Sequence, residues 1–144
     1  MFPGPKLNII LGPNGTGKST LTHAICLACV GMTSSVGRSS DLTHFIKRGK
    51  EREGSFCEVD LLLKNDTVVT IRRILNSETK GSKWQLNGRS STMKEMKELM
   101  SSLHIDVDNL CSFMPQDRVS AFTQMNSKKL LQSTLECIKT PDGM

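Results

Sequence analysis

Gly12, Pro13, Asn14, Gly15, Thr16, Gly17, Lys18 and Ser19 have the types and spacing of a phosphate-binding loop. Glycines at 12, 15 and 17 let the backbone turn tightly enough for successive N–H groups to converge on phosphate oxygens. Lys18 brings a positive charge within reach of β and γ phosphates, and the Ser19 hydroxyl is the expected protein ligand of Mg²⁺, with Thr20 beside it. A helix starting at this point turns its positive end toward the same anion. The chemistry these residues support is the binding of a nucleoside triphosphate.

Such a loop works only between a strand and a helix. Residues 6–11, with their apolar run at 7–11, predict the strand, buried on both faces, and residues 18–30 predict the helix, with Gly31 as its C′ residue. Residues 41–48 predict a short helix stopped by Gly49. From 56 to 64 the pattern alternates, with Cys57, Val59, Leu61 and Leu63 on one side, which predicts a half-exposed antiparallel strand. A turn at 64–67 returns the chain as a partner strand over 68–75, and 76–83 is a polar connection. Trp84 to Leu86 predicts a short strand ending in the turn pair Asn87-Gly88. Thr92 and Glu95 form a capping box ahead of Met93, Met96, Met100 and Leu103 at helical spacing. Residues 110–114 predict a second buried strand, and Leu130, Leu131, Leu135 and Ile138 line one side of a last helix.

The 144 residues suit one domain or a piece of one. The longest uncharged apolar stretch, 21–36, contains Thr, His, Ser and Gly, so no membrane span or signal peptide is expected. Five cysteines inside apolar patterns indicate reduced thiols. Cys26 and Cys29 have redox or zinc spacing but no second pair, and read as small packed residues. His23, His44 and His104 have no ligand-spaced partner. The net charge of +5 favours anionic partners. The basic cluster at 47–52 reads as a solvated loop, a DNA-phosphate contact or a nuclear-import signal. With no Tyr and one Trp, a stacking platform for single strands is not expected.

A phosphate-loop ATPase also needs an acidic residue, usually after four aliphatics, to hold Mg²⁺ and activate water. No strand ending in Asp or Asp-Glu occurs in these residues, and no Gly-pair signature segment that would meet a γ-phosphate from the opposite side. The Pro13-Asn14-Gly15 form of the loop resembles the ABC-type ATPases, and Gln116, after an apolar run, resembles their Q-loop glutamine. The stretches 45–49 and 109–122 are similar to the structural maintenance of chromosomes family. The resemblance covers nearly the whole chain and implies an α/β fold, an α+β mixed sheet forming the N-terminal lobe of an ABC-type P-loop ATPase head. Residues 1–144 would then run from the phosphate loop through the Q-loop to the start of an arm helix.

The same resemblance implies ATP and Mg²⁺ as cofactors, with Gly12, Pro13, Asn14, Gly15, Thr16, Gly17, Lys18, Ser19 and Thr20 around the nucleotide. Ser19 and Gln116 would be metal ligands, Lys18 and Gln116 catalytic. Arg38, twenty residues beyond Lys18, falls where the family has an R-loop arginine, the alternative being a surface arginine. The implied partners are the sixth structural maintenance of chromosomes subunit, the C-terminal half of the same head, SUMO-ligase and kleisin-type subunits, and DNA, in the nucleus on chromosomes. The expected role is the ATP-binding half of a head that couples head engagement to DNA binding, repair and recombination, inactive as an isolated chain. Two other classes remain open. A small nucleotide kinase or GTPase would need an Arg-rich lid or an Asn-Lys-x-Asp segment, and only 47–52 offers the first. A non-catalytic interaction module would bind DNA or other head pieces without turnover.

Overall fold

The computed structural model describes residues 3, 4, 6–36, 41–46, 49 and 55–138. Four antiparallel strands, β1 (Ser55–Leu62), β2 (Val68–Leu75), β3 (Ser82–Leu86) and β4 (Arg89–Ser91), form one sheet in sequence order. Helix α1 (Lys18–Ala28) packs on β1 and β2, and α2 (Met93–Ser102) packs near β3. The short α3 (Val119–Thr123) and α4 (Ser127–Ile138) complete the order.

Alternation decides which side of the sheet is buried. Val59 opposite Ile71, and Ile71 opposite Leu86, make one inward row; Cys57, Arg73, Trp84 and Ser91 make the next. Ile71, Met96, Val36 and Cys26 are the largest fully buried side chains, so the core lies between the sheet, the C-terminal half of α1, and α2. The antiparallel meander and the turns at 64–67 and 87–88 follow the sequence expectation. Asn87 (φ 49°) and Gly88 (φ 78°) both take positive φ, as a type I′ hairpin turn requires. The capping box is formed in full: Glu95 N–H donates to Thr92 Oγ1 (3.2 Å), and Thr92 N–H donates to Glu95 Oε2 (2.7 Å). The Thr92 N–H, followed by the Ser91 hydroxyl, holds the Glu95 carboxyl below its ordinary pKa. Met96 and Met100 are buried, Leu103 is half-buried, and Met93 is exposed.

Several expectations are corrected. Residues 7–11 are not a strand; Leu7, Ile9 and Leu11 are 86%, 71% and 87% exposed. An apolar run becomes a buried strand only when neighbours take up its N–H and C=O groups, and among the described residues the four strands pair only with one another. The Asn8 side chain instead closes a local loop with Gly4 N–H (2.8 Å) and Gly4 C=O (2.9 Å). Residues 110–114 are also not a strand. Asn109 C=O accepts from Ser112 N–H (3.0 Å) and Phe113 N–H (2.9 Å), while Asn109 Oδ1 takes Cys111 N–H (2.9 Å), so side-chain and turn acceptors displace a ladder. Of the helix expected over 41–48, the described part, 41–46, is a 3₁₀ turn, Leu42–Phe45, capped by Asp41, and Lys47 and Arg48 lie outside the described residues. Over 76–79, Asn76 Oδ1 accepts from Glu78 and Thr79 N–H, and β3 begins at Ser82.

The end of α1 is also corrected. Val30, not Gly31, takes the left-handed conformation (φ 67°), a strained choice for a β-branched residue costing about 1–2 kcal/mol. Gly31 N–H donates to Cys26 C=O (2.8 Å), the long-range bond of a Schellman motif. What demands glycine at 31 is close approach: a Cβ there would overlap Cys26 Sγ and lie 2.7 Å from Cys26 O and 2.8 Å from Val107 Cγ2. Two of those atoms belong to buried side chains and one to helix backbone, so none yields cheaply. Gly31→Ala is expected to lower unfolding free energy by roughly 3 kcal/mol or more in urea melts followed by circular dichroism. A loss below about 1 kcal/mol would show that the turn relaxes around the methyl group.

Candidate functional site

The loop before α1 has the backbone that phosphate binding needs. Gly15 (φ 83°) and Gly17 (φ 90°) both occupy the left-handed region, and Gly17 is the N-cap of α1. No side chain caps that N-terminus, and its first turn holds no acidic residue. Its N–H groups are therefore left for an anion. Thr16 Oγ1 donates to Pro13 C=O (2.9 Å), tying the loop across itself.

Lys18 curls back over the loop, and its Nζ donates to Gly12 C=O and Pro13 C=O, both at 2.6 Å. Two neutral acceptors hold the ammonium beside the loop, so a phosphate arriving there would meet a charge already in place. Ser19 and Lys18 are half-buried in the first turn, while Thr20 is exposed, which favours Ser19 as the residue turned toward the loop side. Among the described residues the Ser19 hydroxyl makes no hydrogen bond, so it is open to a cation.

Gln116 lies in a 3₁₀ turn, Gln116–Arg118, entered from buried Pro115. Arg118 Nη1 donates to Ser34 C=O (3.2 Å), binding this turn to the 3₁₀ segment Thr33–Val36 that follows α1. The structure joins Gln116 to the region after the helix; among the described residues no hydrogen bond links it to Lys18 or Ser19. Arg38, Lys47, Arg48, Lys50 and Arg52 lie outside the described residues.

At the opposite end of α1 is a residue that the motif analysis missed. Arg73, 7% exposed, donates through Nη1 to Leu27 C=O (3.1 Å) and Gly31 C=O (3.3 Å), and through Nε to Ser82 Oγ (3.0 Å). Its guanidinium stacks 4.7 Å from the Trp84 ring centroid. Burial holds the Arg73 pKa below its ordinary value, with the thiols of Cys57 and Cys26 acting the other way. The signal was present in the pattern: Arg73 falls on the inward register of β2, between Ile71 and Leu75. Asp108 was missed too. Its Oδ1 accepts from Ser35 Oγ and from Met32 N–H (3.3 Å), drawing the turn after α2 onto the segment after α1.

Cys26, Cys29 and Cys57 are buried free thiols, as expected of packing residues, and no His, Cys, Asp and Glu cluster among the described residues is arranged to hold a metal. Burial pushes the Cys26 thiol up to about 12, with Asp108 and Cys29 adding to it, and burial pushes Cys29 up to about 11. No helix among the described residues is long and apolar enough to cross a membrane.

The sequence profile of the AAA domain family matches residues 1–141. The structural maintenance of chromosomes protein 5 of Schizosaccharomyces pombe is 38% identical over 138 residues, covering 96% of this chain and 12% of that protein. This chain therefore spans about an eighth of that relative's length. Among solved structures, one from work described as "Structural biochemistry of ATP-driven dimerization and DNA stimulated activation of SMC ATPases" superposes with a TM-score of 0.74, at 21% identity over 92% of this chain and 85% of that one. An Smc head bound to the C-winged helix domain of ScpA gives a TM-score of 0.67, at 20% identity over 88% of this chain and 44% of that one.

Thiolate, not thiol, is alkylated, so the raised pKa values and burial both protect the inner cysteines. Iodoacetamide at pH 8 is expected to modify exposed Cys111 and half-exposed Cys137 first, leaving Cys26, Cys29 and Cys57 at least tenfold slower by peptide mass spectrometry. Equal rates at all five positions would mean that the core opens on the labelling timescale.

Proposed function

The chain belongs to the AAA domain family and has the fold of an SMC ATPase head; from that premise we propose that it is the ATP-binding half of a chromosome-maintenance head. The observation that carries the reading is the phosphate loop itself: two left-handed glycines, an uncapped helix N-terminus, and Lys18 Nζ held 2.6 Å from two loop carbonyls.

In this reading the N–H groups of residues 15–19 bind the β-phosphate, and Lys18 offsets the charge shared by the β and γ phosphates. Gly12, Pro13 and Asn14 form the outer wall of the loop. Ser19 and Gln116 would hold Mg²⁺, which supplies charge neutralisation at the phosphates. Gln116 would in addition position the attacking water, which requires its turn to approach the loop from the Ser34 side where Arg118 tethers it. Arg38 would approach nucleotide or DNA.

Among the described residues no strand ends in Asp or Asp-Glu, and the sequence has no Gly-pair signature segment, so in this reading the other face of the ATP site would come from another segment or another head. The solved relatives named above involve ATP-driven dimerization and ScpA binding. By extension, this chain would pair with a C-terminal half-head and a sixth-type SMC subunit, and would join kleisin-type and SUMO-ligase subunits. DNA binding, repair and recombination on nuclear chromosomes would be the output. The exposed apolar residues at 7–11 suit this account, because strands of a completed head would supply the partners they lack.

Calorimetry with Mg-ATP is expected to detect weak binding by the 144-residue chain, tighter binding after a C-terminal half-head is added, and a loss of at least tenfold in Lys18→Ala. Equal affinity with and without the added half would overturn the half-site reading. Steady ATPase activity of the chain alone, abolished by Lys18→Ala, would overturn the expectation that it is inactive by itself.

A further inference from the structure

Buried charges in proteins are normally paired with an opposite charge, because two or three neutral acceptors do not replace the lost hydration. Arg73 is 7% exposed, yet its partners are two backbone carbonyls, one hydroxyl and an aromatic ring. Among the described residues no carboxylate meets it, and its second terminal nitrogen, Nη2, has no hydrogen-bond partner. Burial holds the Arg73 pKa below its ordinary value; since no buried side-chain nitrogen or oxygen among the described residues is left unpaired, Nη2 borders the solvent of the adjoining cleft.

Arg73 lines an open cleft of about 610 Å³ beyond the C-terminal end of α1, together with Met32, Asp41, Leu42, Lys80 and Met93. Lys80 Nζ stands 3.6 Å from Asp41 Oδ2, and hydrogen bonds from Thr43 followed by the Lys80 charge hold the Asp41 carboxyl below its ordinary pKa. Asp41 is thus anionic at neutral pH and offsets one of the two cations. Among the described residues that line the cleft, Arg73 and Lys80 are the cations and Asp41 the carboxylate, which leaves one positive charge on that lining. Met32 (57% exposed) and Met93 (47% exposed) give the mouth of the cleft apolar walls.

We propose that this cleft binds a carboxylate carried on an apolar stem, the carboxylate completing the hydrogen bonding of Arg73 and reaching Lys80 while the stem lies against Met32, Leu42 and Met93. A monoanion fits the residual charge; a dianion would add a charge beside Asp41 and the helix C-terminus. The site is separate from the phosphate loop, which lies at the other end of α1. It makes the last turn of that helix a point where a small acid or an acidic side chain of a partner protein can act on the nucleotide-binding element.

The chain carries its own reporter, because Trp84 is the sole Trp, there is no Tyr, and the ring stacks under Arg73. Trp84 emission is followed while sodium hexanoate, acetate, phosphate or chloride is added at constant ionic strength and pH 7. A saturable change with hexanoate, a weaker one with acetate and none with chloride is expected. Lys80→Ala should weaken hexanoate about three- to tenfold, Arg73→Lys should abolish the response, and Lys18→Ala should leave it unchanged. The peptide acetyl-Leu-Glu-Leu-amide distinguishes the sources. Tighter binding than hexanoate assigns the site to a partner's acidic side chain; weaker binding assigns it to a free carboxylate. No saturable response to hexanoate or peptide, a stronger response to phosphate, or a response lost in Lys18→Ala but intact in Lys80→Ala would each overturn the proposal.

Discussion

The guanidinium of Arg73 is the interaction on which the arrangement depends. It crosses from β2, an inner strand of the meander, to the C-terminal end of α1 and the turn beyond it, and holds Leu27 C=O and Gly31 C=O at once. Those are orphan acceptors in a buried place, where water cannot reach them easily. A cation at a helix C-terminus also complements the helix dipole. Stacking on Trp84 from β3 and the bond to Ser82 fix the guanidinium plane, so one side chain sets the distance between helix and sheet. Cys57 Sγ, 3.8 Å from Arg73 C=O, completes the inward row beside it. Removing the charge would leave buried carbonyls unpaired at about 1–3 kcal/mol each, more than most packing changes cost.

This clasp explains why the strained turn after α1 is tolerated. Val30 with positive φ is disfavoured locally, and the Schellman bond from Gly31 N–H to Cys26 C=O offsets only part of that cost. Both residues are held because Arg73 takes the Gly31 carbonyl while Asp108 takes Met32 N–H and the Ser35 hydroxyl. The segment after the helix is thereby gripped from two sides, by β2 and by the turn beyond α2. Arg118, bonded to Ser34 C=O, adds the Gln116 turn to the same assembly. A displacement of Thr33–Val36 cannot occur without moving one of these three contacts.

The legible features in the sequence are those governed by short-range rules. Glycine spacing placed the tight turn with left-handed Gly15 and Gly17 ahead of α1, period-two alternation placed β1, and Thr92 with Glu95 placed the start of α2, since each depends on residues at most a few positions apart. Residues 7–11 and 110–114 were misread for one common reason. An apolar run reports a wish to be buried, whereas strand formation depends on a backbone partner that composition does not reveal. Asn8 and Asn109 each satisfied nearby backbone groups instead. Arg73 was visible as a charge on an inward register, but its target, two carbonyls 42 and 46 residues earlier, is a tertiary fact.

The two ends of α1 therefore serve different masters. Cys26, Leu27, Ala28, Cys29 and Val30 are all buried, and the core contacts of the helix with the sheet gather there, with Ala24 packed beside them. Gly12 to Gly17 are all exposed, and the polar bonds around them stay within the loop. Folding free energy thus resides at the C-terminal end, while the N-terminal end keeps unsatisfied N–H groups whose natural complement is an anion. A helix anchored at one end and open at the other transmits a push on its anchor to the open end as a rigid rod, since 11 residues span about 16 Å with little bending. If the chain binds nucleotide as proposed, the anchor, not the loop, is the place where a partner would gain mechanical purchase on it.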